Sequence, residues 1–135
     1  MADLSLSAVT ATAQTTAHSG VAGEAITAGE AVYIDSNDGR VWLAQAAGTK
    51  AQAECVGLAA NAAAAGNPVD YFSGVVDVTG ATEGLAYFLS ATAGDLSPHT
   101  DPTTPDSTEY ATVVAVAETA TRLHVKPVSS GGQVA

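Results

Sequence analysis

The chain has few of the residues on which enzymes and nucleic-acid-binding proteins depend. Of its 135 residues only four are Lys or Arg (Arg40, Lys50, Arg122 and Lys126), against 14 Asp and Glu, for a formal charge of −10. Basic side chains neutralise phosphates, so this balance argues against a nucleic-acid partner and against attraction to an anionic membrane surface. A lone cysteine, Cys55, excludes an internal disulfide framework and a cysteine-rich zinc site, and fits a protein made in a reducing cytoplasm. No apolar run approaches the roughly 18 residues of a membrane-spanning helix. Met1-Ala2-Asp3-Leu4-Ser5 shows no basic segment followed by an apolar block, so no signal peptide is expected. Charged residues make up 13% of the chain, about half the usual share, which leaves little material for a catalytic cluster.

Small and β-compatible residues are abundant, and one pattern of them occurs twice. Thr27-Ala28-Gly29-Glu30-Ala31-Val32-Tyr33-Ile34 is closed by Asp38-Gly39-Arg40-Val41. Thr82-Glu83-Gly84-Leu85-Ala86-Tyr87-Phe88-Leu89 is closed by Ala93-Gly94-Asp95-Leu96, at an offset of 55 residues (27 to 82, 29 to 84, 39 to 94). Matching glycines at a fixed offset indicate one hairpin used twice. Asp38-Gly39 is a strong hairpin turn because both residues tolerate positive φ. The second halves of the units correspond more loosely: Val56-Gly57-Leu58-Ala59 with Val114-Ala115-Val116-Ala117, and Val69-Asp70-Tyr71-Phe72 with Arg122-Leu123-His124-Val125.

The expected fold is all-β with at most one short helix. It is a small β-barrel or β-tulip-like body built from the two hairpin units, with an extended N-terminal arm. Residues 1–20 are rich in Ala, Thr and Ser. They bury too little to offset their ordering entropy alone, so they read as an arm able to add to another sheet edge. Residues 21–127 form the body, in which Val69 to Val78 reads as one long strand or two short ones, with Gly74 marking a bulge or a bend. Asn61 to Ala65 could form one helical turn, ended by Gly66 and Pro68. Three prolines, Pro98, Pro102 and Pro105, make a surface loop with no counterpart in the first unit. Residues 128–135 are a Ser/Gly tail.

Chemistry-bearing residues are sparse. Asp35-Ser36-Asn37-Asp38-Gly39 lacks the spacing and terminal Glu of a calcium loop and reads as a hairpin turn. His18, His99 and His124 are far apart in sequence, with no metal-ligand spacing. Cys55 reads as a small buried hydrophobe; a Cys–His nucleophile pair is the rival. Glu24, Glu30 and Glu83 lie near turns and read as solvated. Trp42, the one Trp, reads as a core or interface anchor. No catalytic, cofactor or metal residue is expected.

Ile26 to Ile34, Asp38 to Val41, Val56 to Ala59, Ala65 to Val69 and Ser73 to Val76 together resemble the capsid decoration, or cement, proteins of tailed bacteriophages, over roughly residues 21–127. The resemblance implies a non-enzymatic virion protein on the capsid exterior, made in the host cytoplasm. It would bridge subunits of the major capsid protein and stabilise the expanded head. It implies a homo-oligomer, with a trimer favoured over a dimer, and no cofactor. Leu4, Leu6, Val9, Thr10, Thr12 and Thr15 of the arm are then the expected capsid contacts. Trp42, Tyr71, Pro98, Pro102 and Pro105 are the expected oligomer or partner surface. The alternatives are another virion module, such as a head fibre or tail component, and a carbohydrate-binding β-module presenting Tyr33, Trp42, Tyr71 or Tyr87.

Overall fold

A computed structural model of the chain describes residues 6, 8–46, 51–90, 92–98 and 110–133. These are almost entirely β: β1 (Thr10–Val21), β2 (Ala31–Ile34), β3 (Val41–Leu43), β4 (Gly57–Ala59), β5 (Pro68–Asp77), β6 (Ala86–Leu89), β7 (Leu96–Pro98), β8 (Tyr110–Thr119) and β9 (Arg122–Gln133). A single 3₁₀ turn, Ala51–Ala53, is the only helical element among them. The helical turn expected near Asn61 to Ala65 is absent. Ala63 instead bridges Ile26, exchanging both backbone hydrogen bonds with it at 2.9 Å.

The duplication holds down to single hydrogen bonds. β2 pairs β3 as Val32–Leu43, Tyr33–Trp42 and Ile34–Val41; β6 pairs β7 as Tyr87–Pro98, Phe88–Ser97 and Leu89–Leu96, each residue 55 positions on. The first-turn glycines, Gly29 and Gly84, both have φ near +90°, which favours Gly at this site. Their N–H groups donate to Ala59 O and Ala117 O, both at 2.8 Å, and the return bonds run from Ala59 N to Glu30 O and from Ala117 N to Leu85 O. Leu58 therefore corresponds to Val116, as the sequence indicated. The fourth strands match one residue away from the expected alignment: Leu58 pairs Phe72 and Val116 pairs His124.

Four equivalent positions are buried in both units: Ile26 and Ala81, Val32 and Tyr87, Val41 and Leu96, Ala59 and Ala117. In the first unit they form a separate core with Ala22 and Val69. In the second they merge into the main core with Leu58, Val76, Leu89, Leu123 and Val125. β2 lies between the two cores because strand side chains alternate in direction. Val32 enters one core, Ala31 and Tyr33 the other.

The sheet runs β3-β2-β4-β5-β9-β8-β6-β7, with β1 on β5. It curls until its two ends meet. Gly94 N donates to Ala44 O at 2.8 Å, Ala31 N to Gly94 O at 2.9 Å and Ala46 N to Ser90 O at 2.9 Å. β5 is the junction. Phe72 faces Ala17 on one side and Leu58 on the other, whereas Gly74 faces Thr15 and Val125. β1 thus occupies one edge of β5, and β4 and β9 share the other.

Two boundaries differ from expectation. Residues 10–20, read as arm, belong to β1, held by backbone pairing to β5 rather than by an apolar face. The segment from 128, read as tail, continues β9 to Gln133 against β8.

Candidate functional site

The expected capsid contacts fall into three groups. Leu6 and Val9 are buried in the protein's own main core, which corrects their reading as outward contacts. An added Cβ on Gly29 would lie 2.5 Å from the Leu6 carbonyl oxygen, so Leu6 packs tightly over the first hairpin. Thr10 is exposed. Thr12 and Thr15 are half-buried and build a bulge: the register shifts between Ala11 and Thr15, and both threonine hydroxyls donate to Val75 O. Thr12 N donates to Thr15 Oγ1 at 2.7 Å and Gln14 N to Thr12 Oγ1 at 3.1 Å, so the bulge satisfies its own polar groups. Gly74 sits opposite with φ +86°, and a Cβ there would lie 2.4 Å from Gln14 O. Leu4 lies outside the described residues.

β1 is otherwise an open edge. Of its twelve residues nine are exposed and three half-buried, and among the described residues it pairs with β5 alone. Natural edge strands are usually blunted by Lys, Pro or inward-pointing charge. β1 has no Lys, Arg, Asp, Glu or Pro. The contrast with β3 is instructive. There Gly23 N donates to Val41 O at 2.8 Å, and Leu43 N donates to a Glu24 carboxylate oxygen at 3.1 Å, so the edge is covered. Glu24, read as solvated, is an edge cap. Glu30, also read as solvated, accepts from Thr27 N and Thr27 Oγ1 at 2.7 and 2.9 Å.

The expected partner-surface residues are dispersed. Trp42 packs against the main core over Gly23 and donates Nε1–H to the Asp38 carboxylate at 3.2 and 3.3 Å. Pro98 is buried at the end of β7; Pro102 and Pro105 lie outside the described residues. Tyr33 and Tyr87 are buried, so the four aromatic residues do not form one exposed sugar-binding face. The Asp35–Gly39 turn uses its carboxylates on its own backbone: Asn37 N donates to Asp35 and Arg40 N to Asp38, at 2.8 and 2.9 Å.

Tyr71 belongs to a cleft that sequence spacing does not reveal. At the junction on β5, a space of about 520 Å³ is lined by His18 of β1, Cys55 and Val56 ahead of β4, Tyr71, Ser73 and Gly74 of β5, and His124 to Pro127 of β9. His18 and Tyr71 are cross-strand partners with stacked rings, centroids 5.1 Å apart at 18°. His124 Nδ1 is 3.8 Å from Glu118 Oε1, both side chains about half exposed. The cleft brings together two histidines and the cysteine that lie far apart in the chain; His99 is outside the described residues. Cys55 is nevertheless no thiolate. Burial pushes its thiol up to about 12, and its Sγ lies 3.5 Å from Gly57 O as a donor. Among the described residues no three His, Cys, Asp or Glu converge on a metal-binding arrangement.

Comparison with protein-family models and with curated proteins finds no match for the chain.

Proposed function

We propose that the chain is a structural virion protein, a decoration protein that binds the outer surface of a tailed-phage capsid and stabilises it by bridging major capsid protein subunits. The open edge of β1 carries this reading. Beyond the bulge, the stretch of β1 from Thr16 to Ser19 pairs with β5 alone among the described residues and carries no blunting charge, so its outer edge can accept a strand from a partner, and the affinity then comes from the main chain. The rest of the molecule supports a scaffold role. Both hairpin units contribute to the main core, Ala31 and Tyr33 from the first and Tyr87 and Leu89 from the second, and the cysteine is held as a neutral thiol. In the proposed assembly the protein acts as a homo-oligomer, a trimer or a dimer, so that several capsid subunits are engaged at once and weak single contacts sum.

The test uses particles of the virus whose genome encodes the chain. The protein should co-purify with them, add density to the outer capsid surface, and raise the temperature at which particles release DNA. Replacing Ala17 and Ser19 by Pro, which removes two N–H groups from β1, should abolish particle binding if the folded body survives by circular dichroism. Particles that lack the protein, or that bind the Pro variant normally, overturn the proposal.

A further inference from the structure

We infer that the cleft at the β5 junction is a docking site for an extended acidic segment of a partner protein, with Lys126, His124 and His18 meeting its carboxylates. The chain has 14 acidic residues and four Lys or Arg, yet none of the described residues lining the cleft is Asp or Glu. A second groove of about 240 Å³, lined by Val113, Ala115, Val116, Val128 and the same His124 and Lys126, contains no acid either. The two spaces share His124 and Lys126 of β9, so these two side chains stand between two largely apolar troughs, with His18 on the far wall of the first.

That geometry fits an extended chain. Alternate side chains of a strand point the same way roughly 7 Å apart, so apolar residues flanking a carboxylate can enter both troughs. Val116 and Val128 are 45% and 58% exposed and supply apolar area to cover. Glu118, 3.8 Å from His124, already places one carboxylate beside this imidazole and competes with an incoming one. The net charge of −10 opposes approach of an acidic segment at long range, but salt at physiological strength screens charges beyond about 8 Å. Contacts inside the cleft are closer than that and become charge-assisted hydrogen bonds. These side-chain contacts are separate from the main-chain pairing offered by β1, and the site does not depend on the capsid reading.

Fluorescence anisotropy with the full chain tests the inference. The probe is a labelled, end-capped peptide, Val-Ser-Glu-Ser-Val-Ser-Glu-Ser-Val, in which Val and Glu occupy every second position and so share one face of the extended chain; its counterpart has Gln for every Glu. The Glu peptide should bind below millimolar, at least tenfold more tightly than the Gln peptide. Lys126→Glu should weaken binding at least tenfold with an unchanged unfolding midpoint, since Lys126 is exposed. Glu118→Gln should tighten it severalfold by freeing His124. Equal affinity for the two peptides, no binding up to millimolar concentration, or a Lys126→Glu variant that binds normally overturns the inference. Self-association of the chain that Lys126→Glu dissolves also overturns it, by making a second copy the occupant.

Discussion

The N–H of Thr27 and that of its equivalent, Thr82, occupy the same place in the two hairpin units and are satisfied by different side chains. Glu30 accepts the first with its carboxylate and Tyr87 accepts the second with its hydroxyl, at 2.7 and 2.9 Å. Both threonines are exposed, so burial does not force either bond, and the two units tie down the same turn from different sequence positions. Cys55 gives a prediction at the same scale. Its thiol goes from 9.0 in the open chain to about 12 in the fold. Between those values the unfolded chain has lost the proton and the folded chain keeps it. The stabilisation is therefore complete below about pH 9 and declines as pH rises toward 12, by about 1.4 kcal/mol per pH unit. Denaturant titrations from pH 8.5 to 11 should show this slope in the native sequence and a shallower one in Cys55→Ala, the difference isolating the thiol from tyrosine titration.

The hairpin units also differ in which glycine is packed. Gly29 and Gly84 share a positive φ, but a Cβ on Gly29 would strike the Leu6 backbone at 2.5 Å, whereas one on Gly84 would meet nothing within 4 Å. Gly84→Ala should cost about 1 kcal/mol through φ alone, and Gly29→Ala about 2–4 kcal/mol, because the steric conflict with Leu6 adds to it. Calorimetric unfolding of the two variants checks the ordering. These hairpins were legible in the sequence because their turns require glycine, and glycine at a fixed offset survives divergence of the strands. The β4–β5 and β8–β9 alignment was less legible. Small residues such as Gly57, Ala59, Ala115 and Ala117 fit either register, and the correspondence inferred for the fourth strands fell one residue away. β1 left only a weak alternation in the sequence, with few large apolar groups to mark it as a strand. With both faces largely exposed it needs no alternation, and backbone bonds with two threonine hydroxyls hold it.

For the molecule as a whole, Leu6, Val9 and β1 are part of the body and not an appendage. Removing residues 1–21 would strip Leu6 and Val9 from the core and uncover an edge of β5. Such a truncation should lower the unfolding temperature by well over 10 °C or prevent soluble expression, given about 2–3 kcal/mol for each buried aliphatic side chain lost; a truncated chain with an unchanged melting curve would contradict the packing of that segment. The cleft was invisible in sequence for a matching reason: residues 18, 55, 71 and 124–127 become neighbours only because β5 accepts three strands. That junction has a mechanical consequence. Nine register pairs tie β1 to β5, while β4 and β9 grip the opposite edge of β5. A pull along the axis of β1 loads all nine pairs together in shear, whereas a pull at right angles peels them singly. Whatever is fastened to the outer edge of β1 hangs on a strap that is strong lengthwise and weak crosswise, so the direction of tension, more than its size, decides whether the molecule holds.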